Sequence, residues 1–141
     1  MSRLKKQSVL VPIDFSELSY SAIASAKEYA EDLSSLKIIH VLSPLHPADP
    51  AAMWNTLSDV DRMNKVKDFL QDKLVEMGYE KLKIKVAIGN PSAEIVKYAQ
   101  ETETELIVMP SHGHKGISQL LLGSVAERVV RLSSCPVLIL K

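Results

Sequence analysis

The chain has a single cysteine, Cys135. That excludes an intrachain disulfide framework and leaves no thiolate cluster for zinc, so Cys135 reads as a small buried hydrophobe. Net charge is absent too: 17 basic residues balance 17 acidic ones, and no general attraction to nucleic acid or to an anionic membrane is expected. No apolar run is long enough for a signal peptide or a membrane span. The first, Val9 to Ile13, is short and broken by Pro12, so the expected location is the cytoplasm. Internal repeats and low-complexity segments are also missing. So are the Gly-x4-Gly-Lys-Ser/Thr loop of fast ATPases and the Gly-x-Ser-x-Gly elbow of serine hydrolases.

At 141 residues with 46% hydrophobic and 24% charged side chains, one compact domain over 1–141 is expected. Residues 8–14 form a continuous apolar run, the pattern of a strand buried on both faces of a parallel sheet. Leu18, Ala22, Ala26, Tyr29, Ala30 and Leu33 then make one helical stripe, with Ser16 as N-cap. A second strand spans 36–42, before a loop broken by Pro44, Pro47 and Pro50. Ser58-x-x-Asp61 opens a long amphipathic helix carrying Met63, Val66, Leu70, Leu74 and Met77, which Gly78 stops. Leu82, Ile84, Val86 and Ile88 alternate with Lys83, Lys85 and Ala87, as on a sheet edge.

Asn90-Pro91 starts a helix with Ile95, Val96 and Ala99, and 106–109 is the next strand. A loop with Gly113, Gly116 and Gly123 leads into a helix opened by a Ser124-x-x-Glu127 capping box, with Val125, Val129 and Leu132 on one face. The last strand lies within 136–140. Strands alternating with helices imply right-handed crossovers, and five strands fit the flavodoxin-like class, with helices on both faces. Ligands of such sheets bind beyond the strands' C-terminal ends, where strand order reverses. With the first strand central, that crevice lies between Asp14 and the loop 110–124.

The strand, glycine-bearing loop and helix start over 105–127 form a chassis for an anion, the candidate being phosphate. Each feature also has a plainer explanation. Gly123 and Ser124 serve equally as a joint and a helix cap, and Asp14 serves either a ligand or the next helix. Lys115 is either a phosphate contact or a solvated charge. Trp54 is a lid, a partner contact or the packing of a short helical turn. His112 and His114 lack a third metal ligand nearby, and Ser111 with His112 and Asp14 does not make a hydrolase constellation.

Taken together, Val11-Pro-Ile-Asp-Phe-Ser16, His40-Val-Leu42, Gly89-Asn-Pro91, Ser111-His-Gly113, Gly123-Ser124 and Cys135-Pro-Val-Leu-Ile-Leu140 resemble the universal stress protein family over essentially the whole chain. The resemblance implies strand order 3-2-1-4-5 and a cytoplasmic homodimer formed through the C-terminal strand. It also implies, for the branch marked by Gly-x2-Gly-x9-Gly-Ser/Thr, ATP binding, with Mg2+ held mainly by phosphate oxygens and water. Gly113, Gly123 and Ser124 match that motif, whereas Pro110 stands at its first glycine, without an N–H and with a ring in place of open space. By the same resemblance, Pro12, Asp14 and the backbone of Val41 face the adenosine portion, and Met109, Pro110 and Ser111 line its pocket. Gly113, Gly123, Ser124 and Val125 surround the phosphates. The implied function is a nucleotide-binding regulatory module in the stress response, with slow ATP hydrolysis at most and an unidentified protein partner. The alternative is an interaction module that does not bind nucleotide and works through its dimer surface.

Overall fold

The computed structural model describes residues 5–45, 48, 58–111 and 122–141. Five parallel strands, β1 (Val9–Pro12), β2 (Leu36–Leu42), β3 (Lys83–Ile88), β4 (Leu106–Pro110) and β5 (Val137–Leu140), lie in the order β3-β2-β1-β4-β5. Helices α1 (Glu17–Tyr29), α2 (Asp59–Glu76), α3 (Pro91–Glu101) and α4 (Ser124–Leu132) make the crossovers. The doubly wound, five-stranded order expected from the sequence is therefore the order observed.

Because side chains alternate across a strand, β1 feeds two cores. Val9 and Val11 pack with Ile38, Ala22, Ile23, Ala26, Leu70 and Leu74 under α1 and α2. Leu10 packs with Ile39, Ile107, Met109, Ile95, Ala99, Ala126 and Val129 under α3 and α4. Each fully buried Leu, Ile or Val contributes roughly 1.5–3 kcal/mol relative to exposure, which makes β1 the strand the domain is built on.

Three helix starts follow the local rules read from the sequence. Ser16 accepts from the N–H of Ser19, Ser58 from that of Asp61 and Asn90 from that of Ala93, and Pro91 occupies the first turn of α3. Gly78, at φ 91°, ends α2 in the left-handed conformation that glycine adopts without strain.

Three expectations are corrected. Leu18 is 43% exposed, because the buried face of α1 is Ser19, Ala22, Ile23 and Ala26. Ser19 can occupy that face because its hydroxyl donates to the Ser16 carbonyl at 2.8 Å. Leu132 is 53% exposed at the end of α4, so it is not core. Cys135 is half-buried, and its N–H donates to the Ser133 hydroxyl at 3.1 Å.

Candidate functional site

The two flanks of β1 are not alike. On the β2 side the ladder runs the length of the strand, from Val9–Leu36 to Pro12–Ile39. On the β4 side it stops at Leu10–Ile107, although both strands continue, to Pro12 and Pro110. The backbone chemistry gives the reason. Ile13 donates to the Ile39 carbonyl of β2 at 2.8 Å, and backbone groups alternate sides along a strand, so the nitrogen of residue 12 addresses β4. Ile107 and Ser111 donate towards β5, to Pro136 at 3.0 Å and Leu140 at 2.8 Å, so the nitrogen of residue 110 addresses β1. The next two donors across this gap belong to prolines, and neither has a hydrogen to give. The strands part where the order of the sheet reverses.

Above the gap stands the N-terminus of α4. The structure places the N-cap at Gly123, not Ser124, and Gly123 supplies no side-chain cap, which corrects the capping box expected at Ser124 and Glu127. The cause is tertiary: the Gly123 N–H donates to the Ser111 carbonyl at 2.5 Å, which pulls the chain one residue ahead of its local signal. Glu127 then makes the first bond of the helix, to the Gly123 carbonyl at 2.8 Å. The amides of Ser124, Val125 and Ala126 precede the first residue able to find an acceptor inside the helix, so they carry the positive end of its dipole.

Pro12, Met109 and Pro110 are buried at the ends of β1 and β4, and Val41 is half-buried at the end of β2. Ser111, 3% exposed, ties β4 to β5 through its N–H and to α4 through its carbonyl. Asp14 is exposed just beyond β1. Ser124 is exposed and Val125 half-buried in the first turn of α4. Since all strands run the same way, these residues share one edge of the sheet. Gly113 lies outside the described residues, as do Trp54, His112, His114, Lys115 and Gly116.

Of the two readings of Asp14 left open by the sequence, the structure shows the one that serves the next helix. Its Oδ1 accepts the Ser16 N–H at 3.0 Å and the Ser16 hydroxyl at 2.5 Å, so it braces the start of α1 while remaining exposed at the crevice. What sequence reasoning missed is the turn that carries it. Phe15 has φ 67°, a conformation a bulky residue rarely adopts, and its ring lies 4.2 Å from that of His40. His40 is buried, with Nδ1 2.6 Å from the Ile13 carbonyl. That carbonyl can only accept, so Nδ1 carries the hydrogen. Burial holds the imidazole pKa below its ordinary value, against the opposing pull of the Ile13 hydrogen bond and the Asp14 charge.

Among the described residues no group of three or more His, Cys, Asp or Glu side chains could hold a metal, and no helix is long and apolar enough to cross a membrane. A separate cavity of about 330 Å³ runs beside β3, between Met63 and Tyr98, with Lys85, Lys97, Glu94 and Glu101 on its walls. None of the residues at the β1–β4 gap lines it.

A family model described as "Universal stress protein family" matches residues 6–141. The chain is 32% identical to universal stress protein MJ0531 of Methanocaldococcus jannaschii, over 94% of this chain and 81% of that protein. It is 32% identical to universal stress protein YxiE of Bacillus subtilis, over 94% of this chain and 97% of that one. Among solved structures, that of hypothetical protein MJ0577, described as a structure-based assignment of biochemical function, superposes with a TM-score of 0.74 at 27% identity, covering 96% and 95% of the two chains. A universal stress protein solved in complex with cAMP superposes with a TM-score of 0.63 at 26% identity, covering 96% and 97%.

Proposed function

The chain belongs to the universal stress protein family, and from that premise we propose that it is a regulatory module that binds an adenine nucleotide, ATP, in the gap between β1 and β4. The observation that carries this reading is the end of the β1–β4 ladder ahead of Pro12 and Pro110, next to a helix N-terminus whose N-cap, Gly123, supplies no side chain. Nucleoside and phosphate make different demands, and the two sides of the gap answer them. A base and sugar need an apolar slot with a few polar groups, and Pro12, Val41 and Met109 supply the walls while Asp14 supplies an acceptor. A phosphate needs N–H donors without competing carboxylates, and the amides of Ser124, Val125 and Ala126 fit it. The cAMP complex of a relative supports the ligand class.

Pro110, which departs from the glycine of the family motif, is compatible with this site and contributes to it. Its missing N–H leaves the gap unzipped, as does that of Pro12. Gly123 offers the ligand its place in the chain rather than its amide, which Ser111 already holds. Mg2+ would arrive with the triphosphate and be held mainly by phosphate oxygens and water. Binding rather than turnover is the expected output, in the cytoplasm.

The bound state would be reported through a homodimer. Among the described residues the outer edge of β5 has no neighbouring strand, and Val137, Leu138, Ile139 and Leu140 are only half-buried. An apolar open edge of this kind calls for a second strand, and that of another copy fits it.

Calorimetric titration of ATP and magnesium into nucleotide-free protein tests the proposal, with Gly123→Val alongside. Saturable binding is expected in the wild type and a loss of about tenfold or more in the variant, whose branched side chain crowds the phosphate turn. Absence of binding at millimolar ATP would leave the dimer surface as the working part of the molecule.

A further inference from the structure

The peptide that presents Asp14 holds a conformation its own sequence does not favour. A bulky residue at φ 67° lies in a sparsely populated backbone region, and such strain persists only where surrounding contacts outweigh it. Those contacts converge on Phe15 and its neighbours. Phe69 of α2 meets the Phe15 ring edge-on, with centroids 5.6 Å apart at 81°. Ser19 accepts the Asp14 N–H at 3.3 Å, and Ser16 holds the carboxylate. His40 contributes twice, through its hydrogen bond to the Ile13 carbonyl and through its ring against Phe15.

His40 lies on the opposite sheet face from Val41, the next residue of β2, because side chains alternate along a strand. It belongs with α1 and α2, whereas Val41 packs towards α3 and α4. His40 is thus placed behind the Asp14 turn and away from the ligand. We infer that His40 is a positioning residue for the nucleotide site: acting through the Ile13 carbonyl and the Phe15 ring, it holds the Asp14 carboxylate where the nucleoside end of the ligand meets it. This rests on the nucleotide reading above and adds a role for a residue that touches no ligand. The phosphate end, organised by Gly123 and the first amides of α4, does not depend on it.

That division supplies the test. Asparagine places its amide nitrogen close to the position of imidazole Nδ1 and can donate to Ile13, whereas glutamine places its nitrogen near Nε2 and cannot. Both variants lose the ring contact and both keep a polar side chain, so a general packing role affects them alike. Affinities for ATP, adenosine and tripolyphosphate are measured by calorimetry on wild type, His40→Asn and His40→Gln, with the folded fraction checked by thermal unfolding. The expected result is a loss of about tenfold for ATP and adenosine in His40→Gln, with tripolyphosphate unchanged and at least half of the lost binding energy restored in His40→Asn. Equal adenosine affinity in wild type and His40→Gln would overturn the inference. So would an equal loss for adenosine and tripolyphosphate, or equal losses in the two variants. A wild type that binds none of the three ligands would refute the nucleotide reading itself, an outcome distinct from a wild type that binds and variants that do not discriminate.

Discussion

β1 has one flank built for cohesion and one built for access. Towards β2, four residue pairs are in register and the donors of the facing edge are all present, ending with Ile13 on Ile39. Towards β4, two pairs are made before each strand reaches a proline whose nitrogen is turned to the other strand. Hydrophobic burial does not distinguish the two flanks, since Val9, Leu10 and Val11 of β1, Ile38 of β2 and Ile107 of β4 are all fully buried. The difference therefore lies in the backbone, and it shows how a central strand can be buried along its whole length and still leave one side of its ladder unpaired at its end.

That contrast can be broken from either side. The largest effect is expected on the closed flank: Ile38→Ala should cost about 2–5 kcal/mol in urea unfolding, through lost burial and the cavity left behind. Its remaining folded protein should bind nucleotide as the wild type does, since Ile38 faces α1 and α2.

On the open flank, Pro12→Ala combined with Pro110→Ala restores two donors. Each new ladder bond gains roughly 0.5–1.5 kcal/mol, and each lost proline gives back roughly 0.4–1 kcal/mol of chain entropy to the unfolded state. Stability should change by less than about 1 kcal/mol as the two contributions offset each other. The new amides at 12 and 110 should exchange slowly with solvent, and ATP affinity should fall about tenfold as the gap narrows. Rapid exchange at both amides would mean that something other than the prolines keeps the strands apart.

A smaller effect sits behind the gap, at His40. Burial lowers its folded pKa below that of the unfolded chain, so on acidification the unfolded state takes up the proton first. This contribution to stability is present in full above about pH 6.5 and is lost as pH falls below it, through the lower folded value. Unfolding measured from pH 7.5 to 5 should show a decline that is shallower in His40→Asn. The smallest change is expected far from both flanks: Arg131→Ala removes an exposed pair with Glu127 at 3.4 Å and should shift stability by less than about 0.5 kcal/mol.

Much of this architecture was legible because its signals are local. Residues 8–14 and 36–42 announce buried strands, and Ser16, Ser58 and Asn90 cap helices through bonds made three residues away. The misreadings occur where a distant group intervenes. Ser124 and Glu127 have the composition of a capping box, yet the Ser111 carbonyl takes the Gly123 amide and moves the cap. Ser19 is buried in place of Leu18 because its hydroxyl is satisfied by the turn before it. The site was legible only in part. Asp14, Val41, Pro110 and Gly123 could be named from the resemblance, but that the nitrogens of Pro12 and Pro110 address the same gap depends on the strand order of the sheet. The strain at Phe15 depends on His40 and Phe69, which lie far along the chain.

The most direct test of the account is to map the amide chemical shifts of isotopically labelled protein while ATP and magnesium are added. The account predicts saturable shifts at Ile13, Asp14, Val41, Ser111 and Ser124 through Ala126, with the β3 cavity around Lys85 and Tyr98 unmoved. Shifts confined to that cavity, or none at millimolar ATP, would contradict it.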